Sequence, residues 1–439
     1  MQPQDKPADV VVIGGGMAGL TAACYLARSG LAVTLFEKAA RLGGRAATQI
    51  EAGFSFNRGI HALYTGGAAS EILCELGVTY RAGSPKATYV LQNGQIFPFP
   101  AGPSALVRSK LLSVRDKLEL MRLFATLGRL DPRSLARVSV QDWLEQALGR
   151  PQVRRLLAAV ARTFVYSAAL DLVSADVFIA KLQRSLKHPV HYLDGGWQTL
   201  VDSLRQIAEQ AGARIISGAR VEAVERHNGQ VSGVRLGDGS LIKAAAVIIA
   251  TNPRDAARLL DTFAAPTLNA IIDKLIPARL ACLDVALHRL PASPHTIVQD
   301  LQHPRFLSTQ SLYARIAPEH GALVCSFKQL DPRQPTDPRA DQRELEDLLD
   351  IALPGWRELL VKRMYLPSIE AVGALPLASA GGMAGRPDSR VATNLYVVGD
   401  WVGGEGFLVD ASMASARQVA RQLILERVHA STASLEGTL

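Results

Sequence analysis

The chain has 439 residues, 48% of them hydrophobic and 20% charged, with 36 glycines and a formal net charge of +8; that length is about three times a typical domain. This balance excludes a disordered or coiled-coil chain, and no apolar run approaches the roughly 18–20 residues of a membrane span. The basic residues are spread out, with no aromatic-interleaved basic tract and no nucleic-acid motif, so the charge is read as solvation and attraction to anionic substrates or lipid surfaces, not nucleic-acid binding.

The opening MQPQDKPAD lacks a cationic stretch followed by an apolar one, so no export signal is expected. Residues 10–13 form a continuous apolar run, as in a parallel strand buried on both faces. Gly14-x-Gly16-x-x-Gly19 follows, then a helix with apolar or small residues at Leu20, Ala23, Leu26 and Ala27, ending at Gly30. A second apolar strand, LAVTLFEK, carries Glu37, which lies 18 residues beyond Gly19, near the roughly 20 expected of a ribose-binding acid. Strand, glycines, helix, strand and acid together make a βαβ dinucleotide site, whose pyrophosphate faces a helix N-terminus.

The stretch EKAARLGGRAAT then adds a second glycine turn and a guanidinium, able to approach a pyrophosphate from the opposite side. Here the sequence resembles the glutathione-reductase-like FAD flavoproteins, and within them the superfamily of flavin amine oxidases, phytoene desaturases and protoporphyrinogen oxidases. Arg41, Gly43, Gly44 and Arg45 match its Arg-x-Gly-Gly-Arg stretch. The resemblance implies a discontinuous Rossmann-type FAD-binding α/β domain with an inserted α+β substrate domain of mixed sheet and helices.

Further along, GFSFNRGIHALY (53–64) resembles the family segment that runs beside the isoalloxazine ring. Asn57 replaces the usual aspartate, so it keeps a hydrogen-bonding role and loses a carboxylate one. Arg58 and His61 are the catalytic candidates, because imidazole titrates near pH 6.5 and serves as acid or base. Residues 66–189 read as helix-rich, with apolar residues three and four apart in RDKLELMRLFATLGRL and QVRRLLAAVARTFVYSA. Residues 105–130 hold six basic and two acidic residues among leucines. A core-facing helix with a solvated basic face is the preferred reading there; a helix lying on a membrane surface is the alternative. His188 and His191 flank Pro189-Val190 with no third ligand nearby, so no metal is expected. Cys24, Cys74, Cys282 and Cys325 are scattered without zinc spacing, which suits a reduced cytoplasmic setting.

From 194 the chain reads as a Gly-Gly turn, a helix over 198–210, a strand at 214–216 and a hairpin ending in the buried run 246–250. In the family the residue matching Val221 meets the adenine through its backbone, and Thr251 follows that run. Residues 256–375 contain two strand-like runs, RLACLDVALHRL and GALVCSFKQL, then a helix near 340–351. The strand 395–398 ends in Gly399-Asp400, resembling the second FAD motif, and a helix beginning near Val409-Asp410 should present its N-terminus to the flavin. The tail STASLEGTL looks unstructured.

The FAD-binding domain is therefore expected from 8–65, 190–255 and 376–428, the substrate domain from 66–189 and 256–375, and a tail at 429–439. Expected cofactor contacts are Gly14, Gly16, Met17, Ala18, Gly19, Glu37, Lys38, Gly43, Gly44, Arg45, Gly59, Ile60, His61, Val221, Thr251, Gly399, Asp400, Val409 and Asp410. Cys325 is the cysteine nearest the last motif, so the FAD should be held non-covalently. No second strand-GxGxxG-helix offers a nicotinamide site, so dioxygen, a quinone or another soluble acceptor must reoxidise the flavin, unless the reaction is non-redox.

Two departures separate the chain from the amine oxidases. Their active-site lysine matches RLACLDVAL, which has none, and their aromatic-cage tyrosine falls within GFLVD. The resemblance thus favours the phytoene-desaturase side: dehydrogenation of a largely apolar small molecule by hydride transfer to flavin N5. An amine oxidase releasing peroxide, or a flavin-dependent isomerase or mutase, is the alternative. Oligomeric state is not encoded in any motif.

Overall fold

The computed structural model describes residues 8–261, 266–292 and 294–436. Strand Ala8–Ile13 is nearly all buried and lies inside a parallel sheet, because an apolar run of this kind must be covered on both faces. Val10 pairs with Val33 on one side and Ala246 on the other. The strand order is Arg214–Ser217, Val33–Glu37, Ala8–Ile13, Leu241–Ile249, and then the antiparallel hairpin strands Gln230–Leu236 and Val221–His227. Leu395–Val397 pairs in parallel with the end of Leu241–Ile249. Helices Met17–Arg28, Gln198–Gln210 and Val409–Glu436 cover one face; the hairpin and Trp401 cover the other.

The second body is a seven-stranded mixed sheet, in the order Leu360–Val372, Ala278–Leu287, Ala322–Gln329, Arg305–Ser308, Ile297–Asp300, Tyr89–Gln92, Gln95–Pro98. All its pairings are antiparallel except Ile297–Asp300 with Tyr89–Gln92. Helix Pro338–Ala352 packs on one face. Helices Val114–Leu127, Val140–Ala147, Pro151–Val165 and Ala175–Ser185 fill the other. Three of these begin at Ser113, Ser139 and Ser174, whose hydroxyls accept first-turn N–H groups at 3.3, 3.0 and 3.2 Å; such a cap contributes about 1 kcal/mol. Among the described residues no helix is long and apolar enough to cross a membrane.

The domain edges shift from those expected. Helix Ala68–Glu75 packs on Met17–Arg28 and Val409–Glu436, with Ile72 and Leu73 buried in the first core, so residues 66–78 go with the first body. Ala256, Leu259 and Leu260 of helix Pro253–Asp261 join its opposite core, and the chain reaches the second sheet only at Ala278. In both places a helix follows a glycine-rich or Asn-Pro turn, and its apolar face finds the nearer sheet. The last helix runs to Glu436, through most of the tail expected to be unstructured; residues 437–439 lie outside the described residues.

Candidate functional site

The two bodies share a cavity of about 960 Å³. Its first wall is the turn after Ala8–Ile13. Gly14 sits at φ +112°, and a Cβ there would stand 2.5 Å from the Ala250 carbonyl oxygen. Gly19 has no place in the cavity wall: a Cβ on it would meet the Gly14 oxygen at 1.9 Å, so its role is to let helix and strand close on each other. Gly16, Met17 and Ala18 do line the cavity. The helix they open has no side-chain cap and no acid in its first turn, which leaves its N-terminus suited to an anion.

Glu37, at the end of its strand, is 9% exposed. Its Oε2 accepts the Gly15 N–H at 2.7 Å and its Oε1 the Ala39 N–H at 2.8 Å. The carboxylate thus holds both the glycine turn and the chain leaving the strand, with lone pairs left for a ligand hydroxyl. Lys38 beside it pairs with Asp255 at 2.5 Å. The second glycine turn docks on the first: the Gly43 N–H donates to the Gly15 carbonyl at 2.8 Å, and Gly16 and Gly43 form a bridge. Cβ atoms built on Gly16 and Gly44 would meet nothing closer than 3.9 Å, so the two turns leave an open cradle between them.

Arg45 spans that cradle to Asp400 with two bonds of 2.7 Å, joining positions 355 residues apart. Asp400 is 2% exposed and also accepts the Gly373 N–H at 2.8 Å. Burial alone would raise its pKa; Arg45, the Gly373 N–H and the charge of Arg386 outweigh that and hold it below the ordinary value. Arg386 donates to the carbonyls of Asp400 at 3.0 Å and Gly406 at 2.8 Å, fixing the loop that leads into helix Val409–Glu436. At that helix's start Asp410 accepts the Ala69 N–H at 2.9 Å and Arg184 Nη1 at 2.5 Å.

Beyond the cradle lies the segment after strand Phe54–Asn57. Asn57 Oδ1 accepts Thr48 Oγ1 at 2.7 Å and the Trp197 N–H at 3.1 Å, so it ties this strand to the start of helix Gln198–Gln210 and does not face the cavity. Gly59 is likewise outside the wall, since a Cβ there would strike Ile369 at 2.2 Å. Arg58, exposed at the rim, and Ile60 and His61 do line the cavity. His61 Nδ1 lies 2.9 Å from the Gly59 carbonyl and its ring 5.1 Å from Trp197. Burial lowers its pKa, opposed by the Gly59 and Arg45 carbonyls, so the ring is neutral near pH 7. Trp197 lines the cavity, and its indole N–H is buried and unpartnered among the described residues.

The other expected contacts, Val221, Thr251, Gly399 and Val409, all border the same space. Several cavity residues went unread in the sequence: Tyr64, Tyr166, Lys181, Arg184 and Glu370. The nearest thing to a signal was Lys181 itself, three and four residues after the apolar Phe178 and Val177 and so on the buried stripe of its helix. Burial pushes its ammonium down to about 7, with the charge of Asp410 opposing.

The profile of the family described as flavin containing amine oxidoreductase matches residues 17–278. The 4,4'-diaponeurosporene oxygenase of Staphylococcus aureus (strain Mu50 / ATCC 700699) is 24% identical over 276 residues, 54% of this chain and 54% of that protein; the chain thus matches about half the length of this curated relative. An oxidoreductase from Methanosarcina mazei superposes with a TM-score of 0.75 at 20% identity, covering 94% of this chain and 99% of its own. Cyclohexylamine oxidase from Brevibacterium oxydans IH-35A gives 0.70 at 18%, covering 95% and 100%. These likenesses to solved structures are likenesses of fold.

Proposed function

The chain belongs to the family of flavin-containing amine oxidoreductases, and from that membership we propose that it is an FAD-dependent dehydrogenase of a largely apolar small molecule, with the FAD held non-covalently. One observation carries this reading: the turns at Gly14–Gly16 and Gly43–Arg45 and the stretch from Gly399 to Asp410 border one cavity whose far wall is Ile60, Tyr64, Tyr166, Val177, Phe407 and Leu408. The open cradle of Gly16 and Gly44 and the uncapped helix behind it fit a pyrophosphate, and Glu37 fits an adenosine ribose.

Bound flavin supplies the two-electron acceptor. The protein's part is to position: Arg45 and Asp400 tie the second glycine turn to the stretch after Gly399, and the apolar side chains keep water from the substrate. The start of helix Val409–Glu436 sets partial positive charge at the wall, and Arg184 and Ala69 engage the Asp410 carboxylate that would otherwise offset it. Strand Ala278–Leu287 has no lysine, and residues 406–410 read Gly-Phe-Leu-Val-Asp; both support a C–C substrate over an amine. Among the described residues no cysteine borders the cavity, which supports non-covalent binding.

We also propose that helix Val114–Leu127 rests on an anionic membrane surface. Val114, Leu118 and Met121 are 72%, 46% and 43% exposed, and Val107 is 68% exposed. Both acids of the region turn inward, Asp116 to Arg150 at 2.9 Å and Glu119 to the Gly149 N–H at 2.8 Å. The outward face is left with Arg108, Lys110, Arg115, Arg122 and Arg129.

The test of the main proposal is to purify the protein, release its chromophore with heat and identify it, then follow flavin bleaching anaerobically with polyenes and with amines. Stoichiometric FAD released by heat and bleached by a polyene is the expected result. A colourless protein, or bleaching by amines alone, overturns the reading.

A further inference from the structure

Lys181 is 8% exposed, yet among the described residues it makes no ion pair. Its Nζ lies 3.9 Å from the centre of the Tyr64 ring, 5.4 Å from Phe407, 5.5 Å from Phe164 and 5.6 Å from Tyr166. It also donates to the Phe164 carbonyl at 2.9 Å. Distances of this size place a cation in the attractive field of all four rings. The rings come from three separate stretches: Tyr64 after the His61 segment, Phe164 and Tyr166 at the end of helix Pro151–Val165, and Phe407 from the turn before helix Val409–Glu436. The nearby carboxylate, Asp410, is engaged by Arg184 and the Ala69 N–H. The ammonium is therefore held by aromatic faces and one carbonyl, with no carboxylate among the described residues bonded to it.

We propose that Lys181 is a specificity-determining residue: its ammonium fills the aromatic box in the wall of the cavity, so the cavity refuses amine cations and accepts uncharged substrates. The inference rests on the proposed flavin site and deepens it. A ligand ammonium entering the box would meet both occupied volume and a like charge at contact distance, where little water screens the repulsion. An uncharged apolar ligand meets neither obstacle, because around the box the wall presents Ile60, Val177, Leu408 and the aromatic faces themselves. The lysine also replaces, inside one chain, the cation that such a box would otherwise select from solution.

The experiment uses the flavin-loaded protein at pH 6, where Lys181 carries its charge, and calorimetric titration with tetramethylammonium, with tert-butanol as the uncharged comparison. Lys181→Ala empties the box; Lys181→Ser does so with a small polar side chain in place of the methyl, so that a folding defect in the first leaves the second to decide. The expected result is tetramethylammonium affinity at least tenfold higher in the variants than in the wild type, with tert-butanol changed less than threefold. Flavin-loaded variants that gain no such affinity, or a wild type that already binds the cation as tightly, overturn the inference and leave the proposed function standing. A wild type that takes up no flavin removes both.

Discussion

Glu37 organises the site before any ligand arrives, since its two oxygens hold the Gly15 and Ala39 N–H groups. Glu37→Ala leaves a buried donor unpaired, which costs about 1–3 kcal/mol, and removes the ribose acceptor. Urea unfolding should show that loss, and the flavin-to-protein absorbance ratio should fall; a variant that keeps a full complement of flavin would place the ribose contact elsewhere. Asp284 makes the pH-dependent case. It is 2% exposed with Oδ1 unpartnered among the described residues, and burial raises its pKa to about 7, against a hydrogen bond with Cys325. A carboxyl raised in the folded state favours folding below its ordinary pKa of about 4, and that advantage is lost as pH rises through 7. Asp284→Asn should therefore gain stability on the wild type as pH rises from 4 towards 7, by up to about 1.4 kcal/mol for each step of one in pH. A difference that stays flat across that range in denaturation midpoints would rule this out. Glu37 and Asp400 were legible as cavity residues because motif spacing places each at or just after the end of a buried strand. Lys181 and Asp284 were not, because a charged residue in an apolar pattern reads as outward-facing until the neighbouring elements are seen to close over it.

Among the elements, helices and buried strands were legible where amphipathic spacing or an uninterrupted apolar run marked them. The helix expected over 198–210 is observed at Gln198–Gln210, and that expected near 340–351 at Pro338–Ala352, begun by Asp337. What was not legible was which body an element joins: helix Ala68–Glu75 has the same amphipathic pattern as helices of the second body and packs on the first. The direction of charge was also hidden, because composition cannot tell that Asp116 and Glu119 face inward while five basic side chains face out. That orientation yields a prediction for helix Val114–Leu127. Wild-type protein should co-sediment with vesicles containing anionic lipid, less so as salt rises. Leu118→Ser with Met121→Ser should weaken the association several-fold, and both positions are exposed, so folding should be within about 0.5 kcal/mol of wild type. Equal binding to neutral vesicles, or none to anionic ones, would return this face to solvent.

At the scale of the molecule, the wall of the cavity is drawn from both sheets, and Arg45 with Asp400 ties its first glycine turns to the stretch that closes it from the far end of the chain. A ligand filling that space binds the folded chain and not the unfolded one, so it must stabilise the whole: free ligand at about a hundred times its dissociation constant adds about 2.7 kcal/mol. Removing the flavin should lower the melting temperature by several degrees, and added FAD should restore it in a concentration-dependent way. Asp400→Asn keeps the volume and one acceptor but removes the charge that Arg45 neutralises. It should therefore need a higher FAD concentration to reach the same melting temperature, because an unpaired Arg45 no longer fixes the wall. Melting curves of apoprotein and variant across an FAD series decide the point. A melting temperature indifferent to FAD would mean that the three segments close on each other without needing the ligand their geometry is suited to hold.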